Sequence, residues 1–298
     1  MKNLFSAFLF WTLIKPISLL PYWLLYRVSD FFYVILSYII PYRKKVIEYN
    51  MTMALPHLSR NEIVLLRKKF MRHFCDLVLE SLKNFSITSE QAQARMVHRN
   101  PELINAYADR QQSVILVGGH YGNWELWAVA APVPLQHLLV GVYKKLSNPY
   151  FDRKIRKSRG KFGLHMIPTR ETAAYMAQVD NPCDAVILAI DQSPSDPKKC
   201  VWVDFMGIPS AALYGAEKYA TSLNRPLVFG HIDKVKRGYY ELTFELVAEN
   251  PISNTKGELT QLLFNVLERD VKTKPELWLW THKRWKHTPG FYEGLIKK

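Results

Sequence analysis

Apolar positions along this chain switch repeatedly between two periods, and the switching predicts a mixed α/β fold. Residues 113–117 are uncharged and rich in β-branched side chains, as a parallel strand buried on both faces requires. Residues 138–143, 164–167, 185–190 and 201–205 read as further strands, and residues 227–232 and 239–247 predict a β-hairpin around Lys234 to Gly238. Between these runs the apolar spacing lengthens to three and four. Ile63, Leu66, Phe70, Phe74, Leu77 and Val78 follow the capping box Ser59-Arg-Asn-Glu62 and predict a long amphipathic helix through Phe85. Thr88-Ser-Glu-Gln91 opens a more polar helix running toward Asn100 and Pro101. Further helices are predicted over residues 124–131, 149–161, 170–179, 211–223 and, from the start signal Thr255-Lys-Gly-Glu258, to about Lys274. Strands alternating with helices imply one α/β domain with a mostly parallel central sheet flanked by helices.

The N-terminal tract departs from this alternation. Residues 4–42 are apolar and aromatic, interrupted among charged residues only by Lys15, Arg27 and Asp30, and also by Pro16, Pro21 and Pro41. Residues 4–26 are long enough to cross a hydrocarbon layer of about 30 Å as a helix. Lys15 and the two prolines equally suit a deep interfacial or re-entrant insertion, and a buried hairpin in a soluble fold is the remaining alternative. No small-residue cleavage site follows the apolar part. Arg43, Lys44 and Lys45 come directly after it and place the rest of the chain on the cytoplasmic side. The expected organisation is therefore an N-terminal membrane-associated segment over residues 1–45 and a cytoplasmic domain over residues 46–298.

Charge adds a partner class. The formal charge of +14, from 40 Lys and Arg against 26 Asp and Glu, implies an anionic partner: nucleic acid, phospholipid headgroups, a phosphorylated substrate or an acidic protein. The helix over residues 149–161 concentrates Arg153, Lys154, Arg156, Lys157 and Arg159, a solvated face on which one or two members are placed to meet a phosphate. Trp278-Leu-Trp-Thr-His-Lys-Arg-Trp285 alternates rings and cations, a pattern suited to a membrane interface, and usable by single-stranded nucleic acid. Cys75, Cys183 and Cys200 form neither a zinc pattern nor a disulfide framework and suit a reducing compartment. His73, without a companion ligand, reads as a partly exposed structural residue.

The candidate chemistry lies in Val114-Ile-Leu-Val-Gly-Gly-His120-Tyr-Gly-Asn-Trp-Glu125. A buried strand ends in two glycines, and in open α/β sheets that carboxyl edge is where ligands bind. Residues five apart on one helix lie on different faces, so His120 must precede the helix, with Gly122 giving the bend and Glu125 on the first turn. In that arrangement Glu125 accepts a hydrogen bond from one imidazole nitrogen and leaves the other as a proton acceptor. No Gly-x-Ser-x-Gly elbow occurs and no cysteine is near His120 in sequence, so the base is expected to activate a hydroxyl on a bound substrate. Asp191-Gln192, at the end of another apolar strand, is a second contribution to the same cleft or, alternatively, a turn cap.

These blocks resemble the late acyltransferases of lipid A biosynthesis, relatives of the glycerolipid acyltransferases that share a His-x4-Asp/Glu motif. The resemblance is carried by Gly119-His-Tyr-Gly-Asn-Trp-Glu125, Val142-Tyr with Asn148-Pro149, Arg159 with Gly163 and Ile167, Asp191-Gln192, Phe205-Met-Gly207 and Leu277-Trp-Leu-Trp-Thr-His-Lys-Arg-Trp285. Trp285 and His287-Thr-Pro replace the Phe and Arg-Pro ending of many members, a departure that bears on the acceptor more than on the chemistry. The resemblance implies a glycerolipid acyltransferase-like fold and transfer of a fatty acyl group from an acyl carrier protein thioester to a hydroxyl of a lipid A precursor or related phosphorylated glycolipid. It implies His120 and Glu125 as the catalytic pair without an acyl-enzyme, and Gly119, Asn123, Arg159, Asp191 and Gln192 around the substrate. Backbone amides near Gly118 to Gly122, or Arg159, are the expected oxyanion donors. The expectation includes neither metal nor organic cofactor and no nucleic acid, and places the enzyme on the cytoplasmic face of a bacterial inner membrane. An acyltransferase for a lysophospholipid or aminoacyl lipid shares the same features, and a non-enzymatic membrane-binding protein is the alternative of another class.

Overall fold

The computed structural model describes residues 2–178, 183–252 and 255–296. Helices α1 (Lys2–Leu9), α2 (Lys15–Leu19) and α3 (Tyr22–Val34) lead to α4 (Lys44–Ala54), the long α5 (Arg60–Lys83) and α6 (Ser89–Arg95). Strand β1 (Met96–His98), α7 (Glu102–Asp109), β2 (Val114–Gly118), α8 (Trp124–Ala130), β3 (Leu138–Tyr143), α9 (Pro149–Arg159), β4 (His165–Pro168), α10 (Thr172–Met176) and β5 (Asp184–Ala189) follow. The chain ends with β6 (Val201–Phe205), β7 (Ile208–Ala212), α11 (Gly215–Leu223), β8 (Leu227–Lys236), β9 (Tyr239–Ala248), α12 (Glu258–Thr273) and α13 (Glu293–Ile296).

Seven strands form one sheet in the order β1-β9-β8-β2-β5-β3-β4. β8, β2, β5, β3 and β4 are mutually parallel, while β9 runs antiparallel to β8 and pairs in parallel with β1. The mostly parallel sheet expected from the apolar runs is therefore present. Alternation along β2 shows why its run carries no polar position. Ile115 and Val117 enter one core and Val114 and Leu116 the other, and all four are fully buried. Both capping boxes form, Ser59 with Glu62 and Thr88 with Gln91.

Several expectations are corrected. The helix from Thr88 stops at Arg95 and gives way to β1, and α7 then starts beyond Pro101. Helix α10 is shorter than residues 170–179, and Val179 lies outside the described residues. Ala211 and Ala212, expected to start a helix, instead end strand β7, and the helix begins at Gly215. Met206 and Gly207, at φ 60° and 71°, make a two-residue turn between Phe205 and Ile208, and β7 pairs back on β6. The aromatic tail is core, not a membrane belt: Trp278, Trp280, Arg284 and Trp285 are each 2 % exposed or less. Trp280 donates to the Pro275 carbonyl, Trp285 to Ser210 Oγ and Arg284 through Nη1 to the Ala211 carbonyl, while Arg284 Nε and Nη2 are buried without a hydrogen-bond partner.

No single helix among the described residues is long and apolar enough to cross a membrane. Residues 4–19 and 22–39 instead form a pair bent by 119° at Leu20-Pro21. This pair buries Phe10, Leu25 and Tyr33 but turns many more large apolar side chains outward. Ser6, Ser18, Ser29 and Ser37 face inward and are buried, whereas Leu4, Phe5, Phe8, Trp23, Phe31 and Ile39 are each more than 60 % exposed. The inward serines and tyrosines tie it to α5, with Tyr26 donating to Glu80 and Ser29 to Asp76.

Candidate active site

The register of the sheet creates the site. β2 and β5 are adjacent and parallel with Gly118 opposite Ala189, and the Ile190 amide donates to the Gly118 carbonyl. Two residues further along each strand, His120 and Asp191 leave the carboxyl edge side by side. His120 Nδ1 lies 2.6 Å from Asp191 Oδ1, and the His120 backbone amide donates to Oδ2 at 2.8 Å. The indole N–H of Trp278 donates to the same Oδ2 at 2.9 Å. This is the main departure from the sequence reading, in which Glu125 orients the imidazole. Asp191 does so, because strand order brings it alongside while Glu125 starts the next helix.

Glu125 has another partner. Its two oxygens accept from Arg159 Nε at 3.0 Å and Nη2 at 2.6 Å, a bidentate pair that clamps the start of α8 to the end of α9. Its charge still reaches the imidazole. Burial pushes His120 down, but the charge and hydrogen bond of Asp191, with a smaller contribution from Glu125, outweigh it and hold His120 above its ordinary value. Burial likewise raises Asp191, yet the His120 charge and the hydrogen bonds it accepts bring it down to about 2. Asp191 is therefore an anion across the physiological range, and the neutral imidazole carries its proton on Nδ1. That leaves the lone pair on Nε2, which the exposed Gln192 approaches with its Nε2 at 3.0 Å.

Two glycines allow this packing. A Cβ on Gly119 would sit 2.6 Å from Leu267 Cδ1 and 3.5 Å from Asp191 Oδ2. Gly122, at φ +60°, has the left-handed backbone the bend needs, and a Cβ there would be 2.5 Å from Ile232 Cγ2. The turn is then held from both sides. The Gly122 amide donates to the Leu277 carbonyl and the Leu279 amide to the His120 carbonyl, while His73 Nε2 lies 3.2 Å from the Gly122 carbonyl. His73 is buried, not partly exposed as expected. Burial and the neighbouring Lys234 push it down to about 3, so it stays neutral, donating to Gly122 through Nε2 and accepting from Lys234 through Nδ1.

Asn123 is fully buried with both amide ends engaged inside the protein. Its oxygen caps α8 at the Leu126 amide and its nitrogen donates to Glu80 at 2.5 Å, which gives it a structural place in the protein interior. Glu80 also accepts from Tyr26 and Tyr240. The amides of His120 and Gly122 are committed to Asp191 and Leu277, so neither is free as an oxyanion donor. Arg159 Nη1 has no protein acceptor among the described hydrogen bonds. His282, which burial pushes down to about 4, accepts from the Ser193 amide and fixes the loop after Asp191. Asp191 could be found in the sequence from the polar pair that ends an apolar strand; Trp278 and His282 stood out only as members of the ring-and-cation block, which gave no sign of their place beside Asp191. Among the described residues no group of three or more His, Cys, Asp or Glu is placed to hold a metal ion.

Compared with known families, residues 1–287 match the model described as bacterial lipid A biosynthesis acyltransferase. No curated protein matches the chain.

Proposed function

The chain belongs to the bacterial lipid A biosynthesis acyltransferase family, and from that premise we propose that it moves a fatty acyl group from an acyl carrier protein thioester to a hydroxyl of a lipid A precursor, with His120 as general base. The observation that carries the reading is the imidazole tied by Nδ1 to a buried carboxylate, with Nε2 directed at the exposed Gln192. Nε2 takes the proton of the acceptor hydroxyl as its oxygen attacks the thioester carbonyl. A C–O bond forms, the C–S bond breaks, and the imidazolium returns its proton to the departing thiolate. Asp191 stabilises the imidazolium between these events, which gives it the orienting role expected of Glu125. Glu125 acts through Arg159, whose Nη1 is the cationic donor available to the oxyanion. Gln192 occupies the hydroxyl's approach and must yield its hydrogen bond to the substrate. No acyl-enzyme is invoked.

The exposed apolar surface of residues 4–40 supports seating at a membrane, and the basic segment after it supports the cytoplasmic face of the inner membrane. The test is incubation of the purified protein with acyl carrier protein thioesters and a phosphorylated glycolipid acceptor, with the acylated product read by mass spectrometry. His120→Ala is expected to lower turnover about 10²-fold to 10⁴-fold with its melting temperature unchanged. Wild-type turnover by folded His120→Ala protein refutes the assignment.

A further inference from the structure

Behind the catalytic turn lies a second, cationic cleft of about 400 Å³ that the acyl-transfer chemistry does not use. Its floor includes His73 and Leu277, the two residues bonded to the peptide units of Gly122. Five cationic side chains line it from three separate parts of the chain: Lys69 and Arg72 from α5, Lys234 and Arg237 from the β8–β9 hairpin, and Lys274 from the end of α12. The acids that line it are Asp76 and Glu276. Asp76 is already engaged by Arg237 through two nitrogens, by Ser29, and at 3.6 Å by Lys234. Lys274 pairs with Asp233 outside the cleft, and Arg237 reaches Asp30 on α3. Lys69 and Arg72 have no acidic partner among the described residues. They stand three apart on α5, hence on one face, opposite the partly buried Lys234.

We propose that this cleft binds a phosphate monoester carried by a lipid. The excess of cations, converging from separate elements, matches a group that offers close to two charges and three acceptor oxygens. Neutral His73 beneath Lys234 accepts one hydrogen bond from its ammonium, which stays charged and keeps further donors for the phosphate. A lipid, rather than a free ion, follows from the rim. Arg72 lies 4.8 Å over the ring of Tyr33 on α3, and Arg237 ties the cleft to Asp30 on the same helix, whose outer side carries the exposed Trp23, Phe31 and Phe32. An anionic group here sits at the boundary between that apolar surface and the catalytic turn. The inference extends the proposed acyl transfer to the acceptor's phosphate but rests on the cleft itself.

The experiment reads binding and needs no turnover. Full-length protein carrying His120→Ala, in neutral detergent, is titrated by calorimetry with short-chain phosphatidic acid, with phosphatidylcholine of the same chain length, and with inorganic phosphate. Phosphatidic acid is expected to bind at least about tenfold more tightly than either of the others. The double variant Lys69→Gln/Arg72→Gln, at exposed positions where folding is not at stake, is expected to weaken it about tenfold or more, the loss of one or two charge-assisted hydrogen bonds. Lys198→Gln/Lys199→Gln, on an exposed turn away from the cleft, serves as the charge-matched control and is expected to leave binding unchanged. Equal binding by the Lys69/Arg72 variant and the His120→Ala parent overturns the proposal, as does equal loss in the control variant. Inorganic phosphate binding as tightly as phosphatidic acid overturns the lipid as its source. None of these outcomes depends on acyl transfer, so failure here and failure of the catalytic reading are separate results.

Discussion

Asp191→Asn tests which carboxylate serves His120. In the wild-type protein Asp191 Oδ2 accepts two donors, the His120 amide and the Trp278 indole, and Oδ1 faces Nδ1. An asparagine keeps its carbonyl oxygen on the side with two donors, which turns its NH2 toward the imidazole. Nδ1 must then accept, the ring proton moves to Nε2, and the lone pair that removes the substrate proton is gone. No buried donor loses its acceptor, so the fold survives while the base is in the wrong tautomer. An asparagine in the equivalent place of a serine protease triad costs about 10⁴-fold, and the loss expected here is about 10³-fold to 10⁴-fold in kcat, roughly 4–5.5 kcal/mol of barrier, with KM little changed. The pH profile gives a second readout. Neutral imidazole is the working form, so activity falls as pH drops through the His120 pKa, which Asp191 holds above the ordinary 6.5. Without that charge the acid limb moves to lower pH. The assay is acyl transfer from the carrier thioester at saturating donor across pH 5 to 9, with thermal melts confirming folding. Near-normal turnover in Asp191→Asn, together with collapse and the same limb shift in Glu125→Gln, refutes the geometry and returns the orienting role to Glu125.

Trp278→Phe removes one of the donors to Asp191 while keeping most of the buried ring, and kcat is expected to drop about tenfold without the acid limb moving to lower pH; an unchanged kcat shows that the indole is packing only. Gly122→Ala must adopt φ +60° and meets Ile232, so a loss of about 2–4 kcal/mol is expected, seen as a melting temperature lower by roughly 5–15 °C; an unchanged melt shows that the turn relaxes. Replacing the exposed Phe8, Trp11, Trp23 and Phe31 by serine removes side chains worth about 2 kcal/mol each on burial in lipid. The variant is expected to leave the membrane fraction at high salt, and its retention there points to another anchor.

The short-range pattern of the chain determined most of the elements, though not β1, α7 or β7, and one half of the site. Short uncharged runs enriched in β-branched residues suit strands buried on both faces, and two glycines after such a run mark a tight turn at a sheet edge. His120, as the first reactive side chain past that edge, was legible for that reason. So were both capping boxes, whose bonds close within four residues. What escaped was set by neighbours remote in sequence. Asp191 stands 71 residues from His120 and becomes its partner only because β5 lies beside β2 in register. Glu125, five residues away, belongs to the next helix and is held by Arg159 instead. The tail of tryptophans and cations is equally suited by composition to a membrane surface or to a core, and packing placed it in the core, where Trp278 holds Asp191. Periodicity is a property of a single strand or helix, whereas the choice of hydrogen-bond partner belongs to the order in which strands assemble, and that order is written nowhere along the chain.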